Sequence, residues 1–177
     1  LISASFEEVS LITASKNKRT GVKTSDDSHY PLGLGYLHSY LEKTGNIVKT
    51  LFLNNHGFDY CFEQTAKTVD EFRPNIVGLQ ILTANRISSY KLIEYLHQNN
   101  PEIKVVIGGI HATIMHKQIL KKFPFVTIIM GEGEITFAEI TKELSDLNQN
   151  LDKIDGLAFV KNGQIITTAP RKLIENL

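Results

Sequence analysis

The sequence has little of what would build a disulfide or a metal centre. Its 177 residues include one cysteine, Cys61, which excludes an internal disulfide and cannot by itself hold an iron-sulfur cluster or a zinc ion. Among the six histidines, only His111 and His116 approach the spacing of metal ligands, and the loop boundary between them disfavours a zinc site. A lone thiol suits a reducing compartment, so we expect a cytoplasmic protein.

An excess of charge and long hydrophobic runs are missing too. Lys plus Arg and Asp plus Glu both number 19, so no net field attracts nucleic acid or an acidic membrane surface. No run approaches the roughly 18 apolar residues of a membrane helix, and the N-terminus has neither the basic flank nor the apolar core of a signal peptide. We therefore expect a soluble protein without nucleic-acid or membrane partners.

What the sequence does contain is a regular alternation of apolar runs with segments of helical spacing. The runs predict strands over residues 9–14, 47–53, 76–82, 104–107 and 126–130, and the spacing predicts helices over residues 31–44, 61–72, 87–98, 115–123 and 135–144. Strands that are apolar throughout are expected where helices cover both faces of a parallel sheet. The pattern predicts a doubly wound, Rossmann-like or flavodoxin-like α/β fold with a five-stranded parallel sheet over residues 9–150.

The two ends of the chain differ from this pattern. Residues 151–169 contain two apolar runs around Asn162 and Gly163, which predicts a C-terminal β-hairpin. Residues 170–177 are interpreted as a linker. Because the chain begins with Leu1 instead of Met, residues 1–8 are interpreted as an extension or a tag remnant.

Candidate site residues follow the third, fourth and fifth predicted strands, because ligands of open parallel sheets bind at the carboxyl ends of the strands. They are Gln80, Leu82 and Thr83 after strand three; Gly108, Gly109, His111, Ala112 and Thr113 after strand four; and Gly131, Glu132, Gly133 and Glu134 after strand five. The paired glycines lack two Cβ atoms, so a ligand could approach the backbone closely there.

Each group also has a purely structural interpretation. The diglycine suits a simple turn from strand to helix, Thr83 or Asn85 suits a helix N-cap, and Glu134 suits the first turn of a helix, where the helix dipole stabilises a carboxylate. A nucleophile elbow, a Walker phosphate loop and a Gly-x-Gly-x-x-Gly after strand one are all missing, which disfavours a dinucleotide or nucleoside triphosphate site. No catalytic residue is predicted.

Four stretches taken together resemble one family. They are residues 30–37, 74–79, 105–113 and 131–134, with the sequences YPLGLGYL, PNIVGL, VVIGGIHAT and GEGE. This set is similar to the N-terminal cobalamin-binding domain of radical S-adenosylmethionine enzymes, a group that includes the anaerobic magnesium-protoporphyrin monomethyl ester cyclase and many methyltransferases. The resemblance runs from about residue 9 to the C-terminus.

The resemblance implies that the crevice holds the corrin ring of cobalamin at its mouth, with the nucleotide tail beside strands three to five and the candidate residues as its contacts. It also implies that a radical S-adenosylmethionine domain of the same polypeptide follows. That domain would hold the 4Fe-4S cluster and S-adenosylmethionine, because the motif Cys-x-x-x-Cys-x-x-Cys is absent here. The fragment is then not expected to be catalytic by itself.

Two departures from related cobalamin domains bear on this interpretation. Residues 15–30 lack the motif Asp-x-His-x-x-Gly, so cobalt is expected to have no histidine lower ligand from this loop, where His29 is the only histidine. Gln80 stands where the related Ser-x-Leu pattern has serine. Two alternatives stay open: a sugar-nucleotide-binding transferase half-domain, and a degenerate α/β interaction domain that no longer binds cobalamin.

Overall fold

Strands and helices alternate along the chain in the predicted order. The computed structural model describes residues 1–4, 31–53, 56–145 and 150–174. The strands are β1 (Ile2–Ser3), β2 (Leu51–Phe52), β3 (Ile76–Gln80), β4 (Lys104–Gly108), β5 (Thr127–Ile129), β6 (Leu157–Lys161) and β7 (Gln164–Thr167). The α-helices are α1 (Leu32–Lys43), α2 (Phe58–Phe72), α3 (Arg86–Asn99), α4 (Ile110–Lys122) and α5 (Glu134–Ser145).

The strands form one sheet in the order β2-β1-β3-β4-β5-β6-β7. Strands β1 to β5 are parallel, and their order is that of the flavodoxin-like doubly wound folds. The predicted fold class is therefore confirmed. The C-terminal hairpin is confirmed as well, but it does not stand apart, because β6 pairs antiparallel with β5 and extends the sheet.

Apolar side chains leave the sheet on both faces, which explains the unbroken apolar runs of the sequence. In β4, Val105 and Ile107 belong to the core cluster that contains residues of α2, α3 and α4. Val106 belongs to the second cluster, with residues of α1 and α5. Side chains alternate across a strand, so successive residues of the same strand pack against different helical layers.

The first strand lies in an unexpected place. Residues 9–14, predicted to form it, lie outside the described residues, whereas Ile2 and Ser3 form β1 between β2 and β3. Ile2 is 4% exposed, so residues 1–4, part of the segment interpreted as an extension or a tag remnant, contribute to the sheet and its core. A pairing of two residues carries no periodicity, and this is why the apolar pattern of the sequence missed it.

The predicted turn of the hairpin has the expected geometry. Asn162 and Gly163 both have positive φ, at 51° and 76°, as a type I′ turn requires. The segment after β7 differs from the prediction, because residues 170–174 are not a free linker. Arg171 there donates a hydrogen bond from Nε to Oγ1 of Thr136 in α5, at 2.6 Å.

None of the helices within the described ranges combines the length and the apolar character that crossing a bilayer requires.

Candidate functional site

The loops after β3, β4 and β5 are hydrogen-bonded to one another at the carboxyl edge of the sheet. The backbone N–H of Ile81 donates to the carbonyl of Gly108 at 2.8 Å, and the N–H of His111 donates to the carbonyl of Ile81 at 3.2 Å. The N–H of Gly131 donates to Oγ1 of Thr113 at 3.3 Å. The structure thus brings the three predicted groups of site residues to one edge.

Gly109 makes the closest approach between two of these loops. Its φ is +98° and its ψ is 170°, a region of backbone conformation that is essentially restricted to glycine. A Cβ atom at this position would lie 2.7 Å from the carbonyl oxygen of Ile81. The diglycine is therefore a strand-to-helix turn, as its structural interpretation proposed, and helix α4 starts at Ile110 instead of Met115.

Five residues lie on the α1/α5 face of this edge, and we call them the glycine slot. They are Gly33 of α1, Gln80 of β3, Gly108 of β4, Gly133 and Glu134. Cβ atoms built on the three glycines would stay at 3.6 Å or more from neighbouring atoms, including Nε2 of Gln80 and the side chain of Ile129. Glycine is therefore not imposed by packing at these positions, and its effect is to leave space.

Two polar atoms of the glycine slot are buried without a partner. Oε1 of Gln80 and Oε2 of Glu134 are inaccessible to solvent and accept no hydrogen bond from the part of the chain that the structure describes. A buried acceptor without a donor costs about 1–3 kcal/mol. Glu134 is at the start of α5, where the helix dipole offsets part of this cost for a carboxylate. These atoms mark the slot as a place where a ligand with donor groups would stabilise the fold.

The opposite face of the edge carries a hydrogen-bonded network. The side chain of Asn85, 1% exposed, accepts from the N–H of Leu82 at 2.8 Å and donates to the carbonyl of Gln80 at 3.1 Å. Asn85 thus fixes the loop after β3 through the loop's own backbone. Asn85 occupies the N-cap position of α3, but its side chain makes no capping hydrogen bond to that helix and holds the preceding loop instead.

His111 lies in this network between two hydroxyl groups. Its Nδ1 is 3.3 Å from Oγ1 of Thr83, and its Nε2 is 3.2 Å from the hydroxyl of Tyr90. Burial lowers the pKa of His111, and the charge of Arg86 lowers it further. The imidazole is therefore neutral near pH 7 and joins α4 to the loop after β3.

Folding stability should fall as the pH drops below about 6.5, the pKa of an unperturbed histidine. Because the folded state has the lower pKa, the unfolded chain binds the proton first, and the free energy of unfolding declines with falling pH. In a His111→Gln variant this contribution is absent, so urea unfolding between pH 7 and pH 5 should give a shallower decline than in the wild type. An unchanged slope would contradict the neutral, network-bound imidazole.

The remaining candidate residues have varied positions. Ala112 is 0% exposed and belongs to the core, so we assign it no ligand contact. Oε2 of Glu132 accepts a hydrogen bond from the N–H of Ile174 at 2.6 Å. Leu82 is half-buried and Gly131 is exposed, and both remain at the mouth of the crevice.

A large cavity of the described residues lies elsewhere. It has a volume of about 1200 Å³ and opens at the amino edge of the sheet, between residues such as Asn75, Lys104 and Thr141. None of the candidate residues, all of which the structure describes, lines it. Ligands of doubly wound sheets bind at the carboxyl edge, where the glycine slot lies and this cavity does not.

Comparison with known families identifies the family of this chain. Residues 18–141 match the family described as the B12 binding domain. The chain belongs to this family. The resemblance inferred from the sequence is thereby confirmed, together with cobalamin as the cofactor for which the family is named.

Two curated relatives show where such a B12-binding domain occurs. The chain is 31% identical to an uncharacterized methyltransferase of Pyrococcus horikoshii, over 83% of this chain and 31% of that protein. It is 28% identical to the anaerobic magnesium-protoporphyrin IX monomethyl ester cyclase of Rubrivivax gelatinosus, over 83% of this chain and 27% of the cyclase. The chain therefore spans about a third or less of the length of these relatives.

A solved structure supports the fold of the B12-binding domain. The cobalamin-dependent S-adenosylmethionine radical enzyme OxsB, with aqua-cobalamin and S-adenosylmethionine bound, matches with a TM-score of 0.68 at 21% identity. The match covers 81% of this chain and 20% of the OxsB chain. At this identity the likeness concerns the fold.

Sequence reasoning missed two residues that shape the site of this B12-binding domain. One is Tyr90, whose hydroxyl contact with His111 has no signal in a single sequence. Arg171 was assigned to a linker, although it contacts Thr136. Residues 15–30, including His29, lie outside the described residues.

Proposed function

We propose that this domain binds cobalamin at the carboxyl edge of the sheet, with the nucleotide tail in the glycine slot and the corrin ring across the mouth of the crevice. The observation that carries the assignment is the pair of buried acceptors, Oε1 of Gln80 and Oε2 of Glu134. These acceptors belong to the same set of residues as three glycines, at each of which a Cβ would meet its neighbours at ordinary contact distances of 3.6 Å or more. A ligand that is both bulky and rich in donors fits such a slot.

The chemistry of cobalamin meets both requirements. The ribose of its tail offers hydroxyl donors, and its corrin ring carries peripheral amides that donate through N–H. Each donor that reaches Gln80 or Glu134 would remove the cost of a buried unpaired acceptor. Gln80 takes the position of a serine in the related pattern, and its longer side chain still presents an oxygen to the slot.

The three glycines of the slot contribute because they have no side chain. Gly108 ends β4 and Gly133 precedes α5, so a flat aromatic base could lie against the backbone between these elements. Burying the base would add hydrophobic stabilisation of about 25 cal/mol for each Å² of apolar surface. Gly33 has the same effect on the α1 side, where its missing Cβ lies 3.6 Å from Gln80.

Cobalamin, once bound, would supply the cobalt that carries out group-transfer chemistry, whereas the protein binds and orients it. The residues described here hold the cofactor and place its ring at the open end of the domain. The exposed hydroxyl of Thr83 and the neutral imidazole of His111 would offer polar contacts at the ring's edge on the α3/α4 side. No residue of the described ranges is assigned a catalytic role.

We further propose that a radical S-adenosylmethionine domain of the same polypeptide covers the crevice. Apolar side chains surround the mouth in the first turns of α1 and α4, with exposures of 67% for Leu32, 55% for Tyr36, 61% for Ile110 and 67% for Ile114. Clustered exposed apolar residues are typical of an interaction surface. That domain would hold the 4Fe-4S cluster and S-adenosylmethionine, and the relatives are long enough to contain it.

Titration with hydroxocobalamin tests the proposal. The purified domain should bind one equivalent in calorimetry and leave gel filtration with the visible absorption of the corrin. Cobinamide, which has the corrin ring but no nucleotide tail, is the matched control and should bind more weakly, because it leaves the glycine slot empty.

Two results would contradict the assignment in different ways. A colourless protein and a titration without heat would favour the degenerate interaction domain. Equal affinities for cobalamin and cobinamide would mean that the domain binds the corrin ring, but that the nucleotide tail does not lie in the glycine slot. Saturable binding of a sugar nucleotide would instead support the transferase half-domain.

A further inference from the structure

The segment that follows β7 returns to the crevice, and we call residues 168–174 the exit strap. Its first residues continue the sheet hydrogen bonding, since the N–H of Thr168 donates to the carbonyl of Leu157 at 2.9 Å. The N–H of Leu157 donates to Oγ1 of Thr168 at 2.8 Å. The N–H of Gly156 donates to the carbonyl of Ala169 at 2.7 Å. These bonds attach the first residues of the exit strap to β6 and to the turn before it.

Arg171 is the central contact of the exit strap. Its side chain is only 15% exposed and forms an ion pair with Glu139 of α5. Its Nε donates to Oγ1 of Thr136 at 2.6 Å, and its Nη2 donates to the carbonyl of Asp155 at 3.3 Å. Thr136 in turn donates to the same carbonyl of Asp155. One guanidinium therefore joins the strap, the first turns of α5 and the turn before β6.

Gly156 brings this cluster into contact with the crevice. Its φ is +79°, and a Cβ there would lie 3.3 Å from Cβ of Arg171, from Oγ1 of Thr136 and from the carbonyl oxygen of Met130. The carbonyl of Gly156 accepts from the N–H of Met130 at 2.8 Å. Met130 directly precedes residues 131–134, which we call the crevice loop, so the Arg171 cluster reaches one end of that loop through a single residue.

Glu132 connects the middle of the crevice loop to the far end of the exit strap. Its Oε2 accepts from the N–H of Ile174 at 2.6 Å. The crevice loop is therefore held by the strap at two points, Met130 through Gly156 and Glu132 directly. This bond to the exit strap distinguishes Glu132 from Glu134, whose Oε2 has no hydrogen-bond partner among the described residues.

We propose that Arg171 is a positioning residue, which holds the exit strap against α5 and thereby fixes the crevice loop in the geometry that receives the cofactor. The coupling to cobalamin rests on the proposed function. Because linkage is reciprocal, cofactor binding would also tighten the strap, by the same factor by which the strap raises cofactor affinity. Occupancy of the crevice and the position of residues 168–174 would then report on each other.

Hydrogen exchange of the domain without cofactor provides the first test. In Arg171→Met the apolar stem is kept and the guanidinium is lost, so the amides of Met130, Gly156 and Ile174 should exchange about 10-fold faster, as expected for a local opening. Lys172→Met is the matched control, since it removes one positive charge from the same strap at an exposed side chain. Ile174→Pro is a second variant, which removes the N–H donated to Glu132 together with the isoleucine side chain.

Cobalamin affinity provides the second test on the same proteins. Arg171→Met and Ile174→Pro should weaken hydroxocobalamin binding by about 5- to 10-fold, within the usual range of coupled sites, and Lys172→Met should not. Cobalamin should slow exchange of the Ile174 amide in the wild type by a similar factor. Unfolding by urea checks that each variant is folded in the assay.

The outcomes separate this proposal from the proposed function. Exchange at Met130 and Ile174 that is identical in Arg171→Met and the wild type overturns the role of Arg171, whether or not cobalamin binds. Wild-type protein that binds no cobalamin, while Arg171→Met still loosens the crevice loop, overturns the proposed function and leaves the positioning role standing. Faster exchange without weaker binding overturns the coupling between them.

Discussion

A Gly108→Val variant should fold normally and lose most of its affinity for cobalamin. The new Cβ would lie 3.8 Å or more from the carbonyl oxygen and Cβ of Ile129, which is ordinary contact, and valine suits the end of a strand. The side chain would nevertheless fill the glycine slot. Excluding a base that buries on the order of 100 Å² of apolar surface costs about 2.5 kcal/mol, so affinity should fall by on the order of 100-fold.

Calorimetric titration with hydroxocobalamin measures this loss, and urea unfolding verifies the fold. The control is Gly57→Val, a substitution of the same size at the N-cap of α2, where a Cβ meets nothing within 4 Å. Helix α2 contributes to the opposite core cluster through Cys61 and Val69, away from the glycine slot. If Gly108→Val binds as tightly as Gly57→Val, the tail does not occupy the slot. Binding of cobinamide should be affected much less than binding of cobalamin.

The sequence predicted the architecture where the physical signal is local. The apolar run around Val105 to Ile107 could only be a strand covered on both sides, and its residues divide between the two core clusters. Asn162 and Gly163 predicted the turn of the hairpin, because few other residues readily adopt the positive φ that a type I′ turn requires. The carboxyl-edge rule then predicted that the three loops converge. In each of these cases the residues that determine the local structure lie within a short stretch of the chain.

The sequence could not predict features whose cause lies far along the chain. β1 is two residues long, and its pairing with Leu51 and Leu79 depends on partners about 50 and 80 positions away. Arg171 acts through Thr136 and Glu139 of α5 and Asp155 of the turn before β6, which lie 16 to 35 positions away in the chain. Which face of the sheet a site residue serves also depends on tertiary register, since a shift of one residue changes the face.

The residues of the crevice are divided between the two faces of the sheet. Gln80 and Gly108 face α1 and α5, where space and unpaired acceptors are found. Thr83 and His111 face α3 and α4, where the side chains bond to each other. In the proposed function the first face receives the ligand, whereas the hydrogen bonds of the second hold the loops in register. Gly109 is the point where the two meet.

Gly109→Ala should therefore be strongly destabilising. The conformation at φ +98° and ψ 170° costs a non-glycine residue about 1–3 kcal/mol, and the methyl group would lie 2.7 Å from the carbonyl oxygen of Ile81. Relieving that clash costs typically another 1–3 kcal/mol and strains the hydrogen bonds that Ile81 makes with Gly108 and His111. We expect the free energy of unfolding, measured in urea, to fall by about 2–5 kcal/mol.

Gly131→Ala separates the two contributions, since Gly131 also has a positive φ, at +81°, but a Cβ there meets nothing within 4 Å. Its cost should be only that of the backbone conformation, about 1 kcal/mol. The difference between the two variants then measures the close approach of Ile81 to Gly109. Similar urea midpoints for both would mean that the two loops are not in contact. Because Ile81 follows directly on Gln80, such a result would also displace one wall of the glycine slot.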